Sequence, residues 1–126
     1  MKYQLLPVLV DLSDSRVVIL AGDSTREDAV IQMLLLLSRC TAHLRLIAPA
    51  PSPRLMQAVR DSNACVISRR YVREDLHGAD VVVCMYEDSD VCDDVFAFCR
   101  TLGIRLCLTS QPGRSDFILR EGSDND

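Results

Sequence analysis

The stretch RVVILAGDSTREDAVIQMLLLL, Arg16 to Leu37, decides the fold. Its opening, Arg16-Val17-Val18-Ile19-Leu20-Ala21, is β-branched and aliphatic with no polar alternation, the pattern of a parallel strand covered on both faces. Ser24-Thr25-Arg26-Glu27 then fits a capping box, and Ala29, Val30, Met33, Leu34 and Leu37 recur at helical spacing. Leu35 and Leu36 widen the apolar stripe beyond one face, which favours burial against both sheet and neighbour and adds a surface suited to a homodimer. His43 to Ala48 reads as the second strand, closed by Pro49-Ala50-Pro51-Ser52-Pro53, so residues 16–49 form one β-α-β unit.

The same alternation continues outward. Ser52 can cap a second helix with Pro53 in its first position, running to about Asp61, and Ala64 to Ile67 is a third strand. Arg69 to Gly78 is polar, with one helical turn around Glu74-Asp75-Leu76, before a fourth strand at Asp80 to Met85. Acidic residues from Glu87 to Asp94 suit the start of a helix that ends at Gly103. Ile104 to Leu108 is a fifth strand, and after the turn Gln111-Pro112-Gly113 the stretch Asp116 to Leu119 can add a sixth. This pattern predicts an α/β fold, a Rossmann-type doubly wound and mostly parallel sheet, in a single domain over residues 1–120, with 121–126 as a polar tail. Ligands of such sheets sit beyond the carboxyl ends of the strands, near the switch in strand order. The loops to inspect are therefore 21–26, 48–51, 85–88 and 109–115.

Composition narrows the chemistry. The chain of 126 residues is 48% hydrophobic and 25% charged, the balance of an ordinary globular domain, and its net charge of -4 gives no cationic field for nucleic acid or an anionic membrane. The apolar run Ala29 to Leu37 is far short of the roughly 20 residues that span a bilayer and lies too far inside the chain for a signal peptide, so a cytoplasmic protein is expected. The cysteines Cys40, Cys65, Cys84, Cys92, Cys99 and Cys107 include no Cys-x-x-Cys pair, and neither His43 nor His77 stands in zinc-like spacing to one. Reduced, mostly buried thiols and no metal site are expected; a thiol redox sensor would rest on cysteine number alone.

A family resemblance rests on motifs in order along nearly the whole chain. Leu6-Pro7-Val8 leading to Asp11-Leu12, Ile47-Ala48-Pro49 with Ser52-Pro53, Tyr71-Val72-Arg73-Glu74-Asp75-Leu76, Ala79-Asp80-Val81-Val82, Glu87-Asp88-Ser89-Asp90-Val91 and Ser115-Asp116-Phe117-Ile118 carry it. Together they resemble the N-terminal NAD-binding module of siroheme synthases and precorrin-2 dehydrogenases. The resemblance implies NAD-dependent oxidation of precorrin-2 to sirohydrochlorin in siroheme synthesis, a tetrapyrrole branch in which some members also insert ferrous iron.

Carried over by position, the resemblance assigns cofactor binding to Gly22, Asp23, Ser24 and Thr25, to Pro49 and Ala50, and to Met85 and Tyr86. It places the family's acid/base carboxylate at Ser110, with Asp116 as the nearest substitute. Arg69, Arg70 and Arg114 are the candidates for substrate carboxylates, which arginines bind in bidentate fashion.

Several departures bear on that assignment. In the turn Ala21 to Arg26 only Gly22 keeps the glycine expected, and Asp23 brings bulk and negative charge where backbone should approach a pyrophosphate; Arg26 offers a replacement cation. Ser24 and Glu27, as a capping box, would occupy donors that the pyrophosphate needs. Ser110 is a hydroxyl with no base nearby in sequence, and Tyr86 stands where the family has a small hydroxylated residue. The chain also ends where family members continue into a helical dimerisation segment, with a polar end after Arg120. The resemblance keeps precorrin-2 dehydrogenation as the leading function. A non-catalytic module of the same fold, binding a tetrapyrrole, a nucleotide or a partner protein of that pathway, stands as the alternative.

Overall fold

The computed structural model describes residues 4–119, and the polar tail expected at 121–126 lies outside them. Strand β1 (Arg16–Leu20) is hydrogen-bonded in parallel to β2 (His43–Ile47) on one side and β4 (Val81–Cys84) on the other. With β3 (Cys65–Ile67) beside β2 and β5 (Arg105–Leu108) beside β4, the order is β3-β2-β1-β4-β5, all parallel. This is the expected Rossmann-type α/β sheet. Leu20 is level with Ile47 and with Cys84, so the loops after β1, β2 and β4 open side by side at the switch between β1 and β4.

Strict alternation divides the strands between two cores. Val17 and Ile19 join Leu44, Leu46, Val81 and Val83 under helices α1 (Glu27–Ser38) and α2 (Pro53–Asp61). Val18 and Leu20 join Ile47, Val82 and Cys84 under α3 (Ser89–Leu102) and a 3-10 turn at Arg73–Leu76. Helix α1 buries Val30, Leu34 and Leu37, one face at i, i+4, i+7, and each such side chain contributes about 1.5–3 kcal/mol by leaving water.

The helix ends follow local chemistry, with one correction. Ser52 Oγ accepts the Leu55 N–H at 3.1 Å with Pro53 in the first turn, as the sequence predicts. Asp88 accepts the Asp90 N–H at 2.8 Å to start α3, which stops at Gly103 in the left-handed region (φ 71). The capping box at Ser24 to Glu27 does not form: α1 starts at Glu27 after Arg26, with no side-chain cap. Glu27 instead accepts from both the backbone N–H and the hydroxyl of Ser52, clasping the start of α1 to the start of α2.

Residues 116–119 form no sixth strand. The Asp116 carboxylate accepts the Leu106 N–H at 2.9 Å while its own N–H donates to Leu106 O at 2.7 Å, and Ser115 Oγ accepts the Leu108 N–H at 2.8 Å. Side chains thus consume the donors on the β5 edge that a sixth strand would pair. Beyond that point the chain packs Phe117 and Leu119 against the α1 core.

Candidate functional site

The crevice at the switch point is floored by Gly22, and its wall is Tyr86. A Cβ added at Gly22 would lie 2.5 Å from Tyr86 Cε2 and 2.7 Å from Cδ2, so the tyrosine ring rests directly on the glycine backbone. Gly22 has no left-handed φ; close approach alone requires it, and the group that approaches is this chain's own ring. The main chain of Tyr86 is pinned twice: its carbonyl accepts from Ser110 Oγ at 3.1 Å and from the Cys92 thiol at 3.4 Å. Burial raises the Tyr86 phenol above the ordinary range, while Tyr71's backbone and the Arg70 charge pull the other way, so the phenol stays neutral at physiological pH.

Around this contact the turn is internally satisfied. Thr25 Oγ1 accepts the Gly22 N–H at 2.9 Å and donates to Met85 O at 3.0 Å, tying the β1 loop to the β4 loop. Asp23 is held by Arg70 at 2.6 Å, both side chains exposed, so Arg70 and not Arg26 supplies the local cation. Ser24 is exposed. After β2, Pro49 is half-buried and Ala50 is exposed in the left-handed region (φ 44), at the rim of the same edge.

The remaining predicted residues are brought close or are spent elsewhere. Ser110 reaches the crevice, but its hydroxyl is committed to Tyr86 O and neighbours only the Cys92 thiol, at 3.8 Å. Asp116 does not join it: the carboxylate is anchored at Leu106, in the first half of β5 and away from the carboxyl edge. Arg69 binds buried Asp75 through two bonds of 2.8 and 2.7 Å, and Arg114 binds Asp93 at 2.8 Å. Arg73 pairs with Asp94, which also accepts from Tyr71 Oη at 3.2 Å. The basic cluster is therefore a set of ion pairs and presents no free anion clamp. Asp94 lies below the usual carboxylate range through its bond to Arg73, against opposing desolvation.

Two of the buried thiols offer little nucleophilic chemistry. Burial pushes Cys84 up to about 12, with Cys92 adding to the shift, and Cys99 up to about 12, with Asp116 adding; both are protonated at neutral pH. Among the described residues no group of three or more histidine, cysteine or acidic side chains could hold a metal ion, and no helix is long and apolar enough to cross a membrane.

The place of a dinucleotide pyrophosphate is the part of the crevice that this arrangement changes. A pyrophosphate would need the backbone surface at Gly22 that Tyr86 covers, and a carboxylate stands at the next residue. Sequence reasoning missed two elements of the site, the Asp23–Arg70 pair and the Glu27–Ser52 clasp, because each joins residues from different loops.

An open parallel sheet with a βα turn at its switch point defines the nucleotide-binding type of α/β domain. Residues 8–120 match the family described as "Putative NAD(P)-binding", NAD_binding_7, and the chain belongs to that family. It is 26% identical over 112 residues to the siroheme synthase of Psychrobacter sp. (strain PRwf-1), covering 89% of this chain and 22% of that protein. The solved structure of SirC, a precorrin-2 dehydrogenase, superimposes with a TM-score of 0.73 at 15% identity, over 91% of this chain and 54% of that one. The chain thus spans about half of SirC and about a fifth of the siroheme synthase.

Proposed function

We propose that this chain serves siroheme-type tetrapyrrole synthesis as a non-catalytic binding module, a precorrin-2 dehydrogenase-like domain whose dinucleotide crevice is filled by its own Tyr86. The observation that carries this is the Tyr86 ring lying on Gly22, where a Cβ would meet it at 2.5 Å. Ser110, spent on the Tyr86 carbonyl at the family's acid/base position, supports the same reading. The module's partner is then a tetrapyrrole or a protein of the pathway. Calorimetric titration of the full chain with NAD and NADH tests it: no saturable heat is expected up to millimolar ligand, and Tyr86→Ser is expected to gain binding. Binding at micromolar concentration by the unaltered chain would overturn it. Asp23→Gly alone is expected to gain little, because Arg70 already balances that charge.

A second reading is an active NAD-dependent precorrin-2 dehydrogenase in which Tyr86 swings aside. It is favoured by the absence of a side-chain cap on α1, which leaves backbone donors at the helix start for an anion, and by the neutralised Asp23. Formation of NADH from NAD and precorrin-2 by the full chain decides for this reading.

A further inference from the structure

The opposite edge of the sheet carries what the crevice lacks. Between the starts of β1, β2 and β3 and the segment Asp75 to Ala79 lies an open cavity of about 390 Å³, within the size range of small-molecule sites. It exists because the connection from β3 to β4 holds only the short 3-10 turn at Arg73–Leu76, leaving the first half of β1, β2 and β3 uncovered on that face. Arg16, His43, Arg45, Asn63, Cys65 and His77 line it, bringing both histidines of the sequence to one place.

Its charges are arranged unlike those of the carboxyl edge. Among the described residues, neither Arg16 nor Arg45 has a carboxylate partner, whereas Arg69, Arg70, Arg73 and Arg114 each have one. Of the nearby carboxylates, Asp75, which lines the cavity, is fully engaged, and Asp80 holds one backbone donor. Asp75 gives both oxygens to Arg69 and accepts the Val72 N–H, and Asp80 accepts the backbone N–H of Arg16 at 2.8 Å. The Arg16 guanidinium lies over Gly78, whose left-handed φ of 82 leaves the backbone bare; Nη1 would be 3.5 Å from a Cβ there. Arg45 faces the same space from β2, and its charge acts on Asp75.

We propose that this cavity is a binding site for a small polyanion, a molecule with at least two carboxylate or phosphate groups, held between the Arg16 and Arg45 side chains, with His43 and His77 also in its lining. Planar guanidinium groups match both oxyanions in bidentate geometry, and two of them facing one cavity select a ligand with charge at both ends. The site is independent of the crevice at Gly22.

Titration of the full chain with citrate and, separately, inorganic phosphate tests the site by amide NMR, with sodium chloride at matched ionic strength as control. Saturating shifts are expected at Arg16, His43, Asn63 and Gly78, with residues 22–26 unmoved. Citrate binding tighter than phosphate supports the two-ended ligand, and a response to phosphate alone would overturn that requirement. The R16Q/R45Q variant is expected to lose at least tenfold in affinity, and Y86S to lose none, so this result is separate from the NAD titration. A second readout needs no variant: bound ligand should slow alkylation of Cys65, which lines the cavity, and leave exposed Cys40 unprotected. Shifts no larger than chloride produces, or unchanged affinity in a folded R16Q/R45Q chain, would overturn the proposal.

Discussion

The two edges of one parallel sheet make opposite uses of the same side chains. At the carboxyl edge Arg70 closes on Asp23, Arg114 closes on Asp93, and a tyrosine closes on the one glycine of the turn. At the amino edge Arg16 and Arg45 face a cavity whose lining carboxylate, Asp75, is bonded to Arg69 and forms no ion pair with either of them. The topology directs attention to the carboxyl edge, because that is where open α/β sheets bind ligands. Here the chain has filled that place with its own groups and left space on the other side. Topology proposes a site; only the disposition of side chains shows whether it is available.

The sharpest way to break the comparison is at Gly22. Gly22→Val forces the Tyr86 ring out of contact and is expected to cost about 3 kcal/mol in urea unfolding, the upper range for overpacking. Combined with Tyr86→Ser it should cost much less, and a double-mutant cycle showing simple additivity would remove the contact from the argument. Next in size is Asp75→Asn, expected to lose about 2 kcal/mol, because a buried carboxylate with two bonds to Arg69 is replaced by a neutral amide.

The same residue fixes an acid dependence. Desolvation pushes Asp75 up, but the Arg69 and Val72 bonds outweigh it and leave the carboxyl below its ordinary value. Its stabilising contribution is therefore complete above the unfolded value near pH 3.9 and is lost as pH falls through the lower folded value. Asp75→Asn is expected to flatten the stability profile below about pH 4 relative to the parent chain, as followed by circular dichroism.

Smaller effects sharpen the contrast. Arg70→Gln separates an exposed pair and is expected to change stability by less than about 1 kcal/mol. At the other edge R16Q/R45Q breaks no ion pair, so its melting curve should match the parent within about 0.5 kcal/mol. A marked gain in stability there would show that the two cations repel each other strongly when no ligand is bound.

Much of the fold was legible because its signals are local. The run Arg16 to Leu20, the stripe Val30, Leu34, Leu37, the Ser52-Pro53 start and the Gly103 stop all act within a few residues of themselves. What failed was chemistry completed across the chain. Ser24 to Glu27 has the spacing of a capping box, yet the Glu27 carboxylate found a better pair of donors on Ser52. Asp116 to Leu119 has the composition of a strand, yet the Asp116 side chain took the edge donor first. The Arg69–Arg73 run reads as a free basic cluster until Asp23, Asp75 and Asp94 are seen against it. Of the candidate site, Tyr86 stood out only by comparison with the family pattern, and nothing in sequence placed its ring on Gly22.

Ser110 and Cys92 both bond to the carbonyl of Tyr86. Two anchors of the main chain in this loop therefore do not depend on which side chain residue 86 bears. Occlusion of the crevice is then a property that can be gained or lost by a change at that residue alone, while the loop, helix α3 and the sheet stay as they are. Tyrosine and serine codons differ by a single base, so one nucleotide separates the stoppered form from the side chain that would open it.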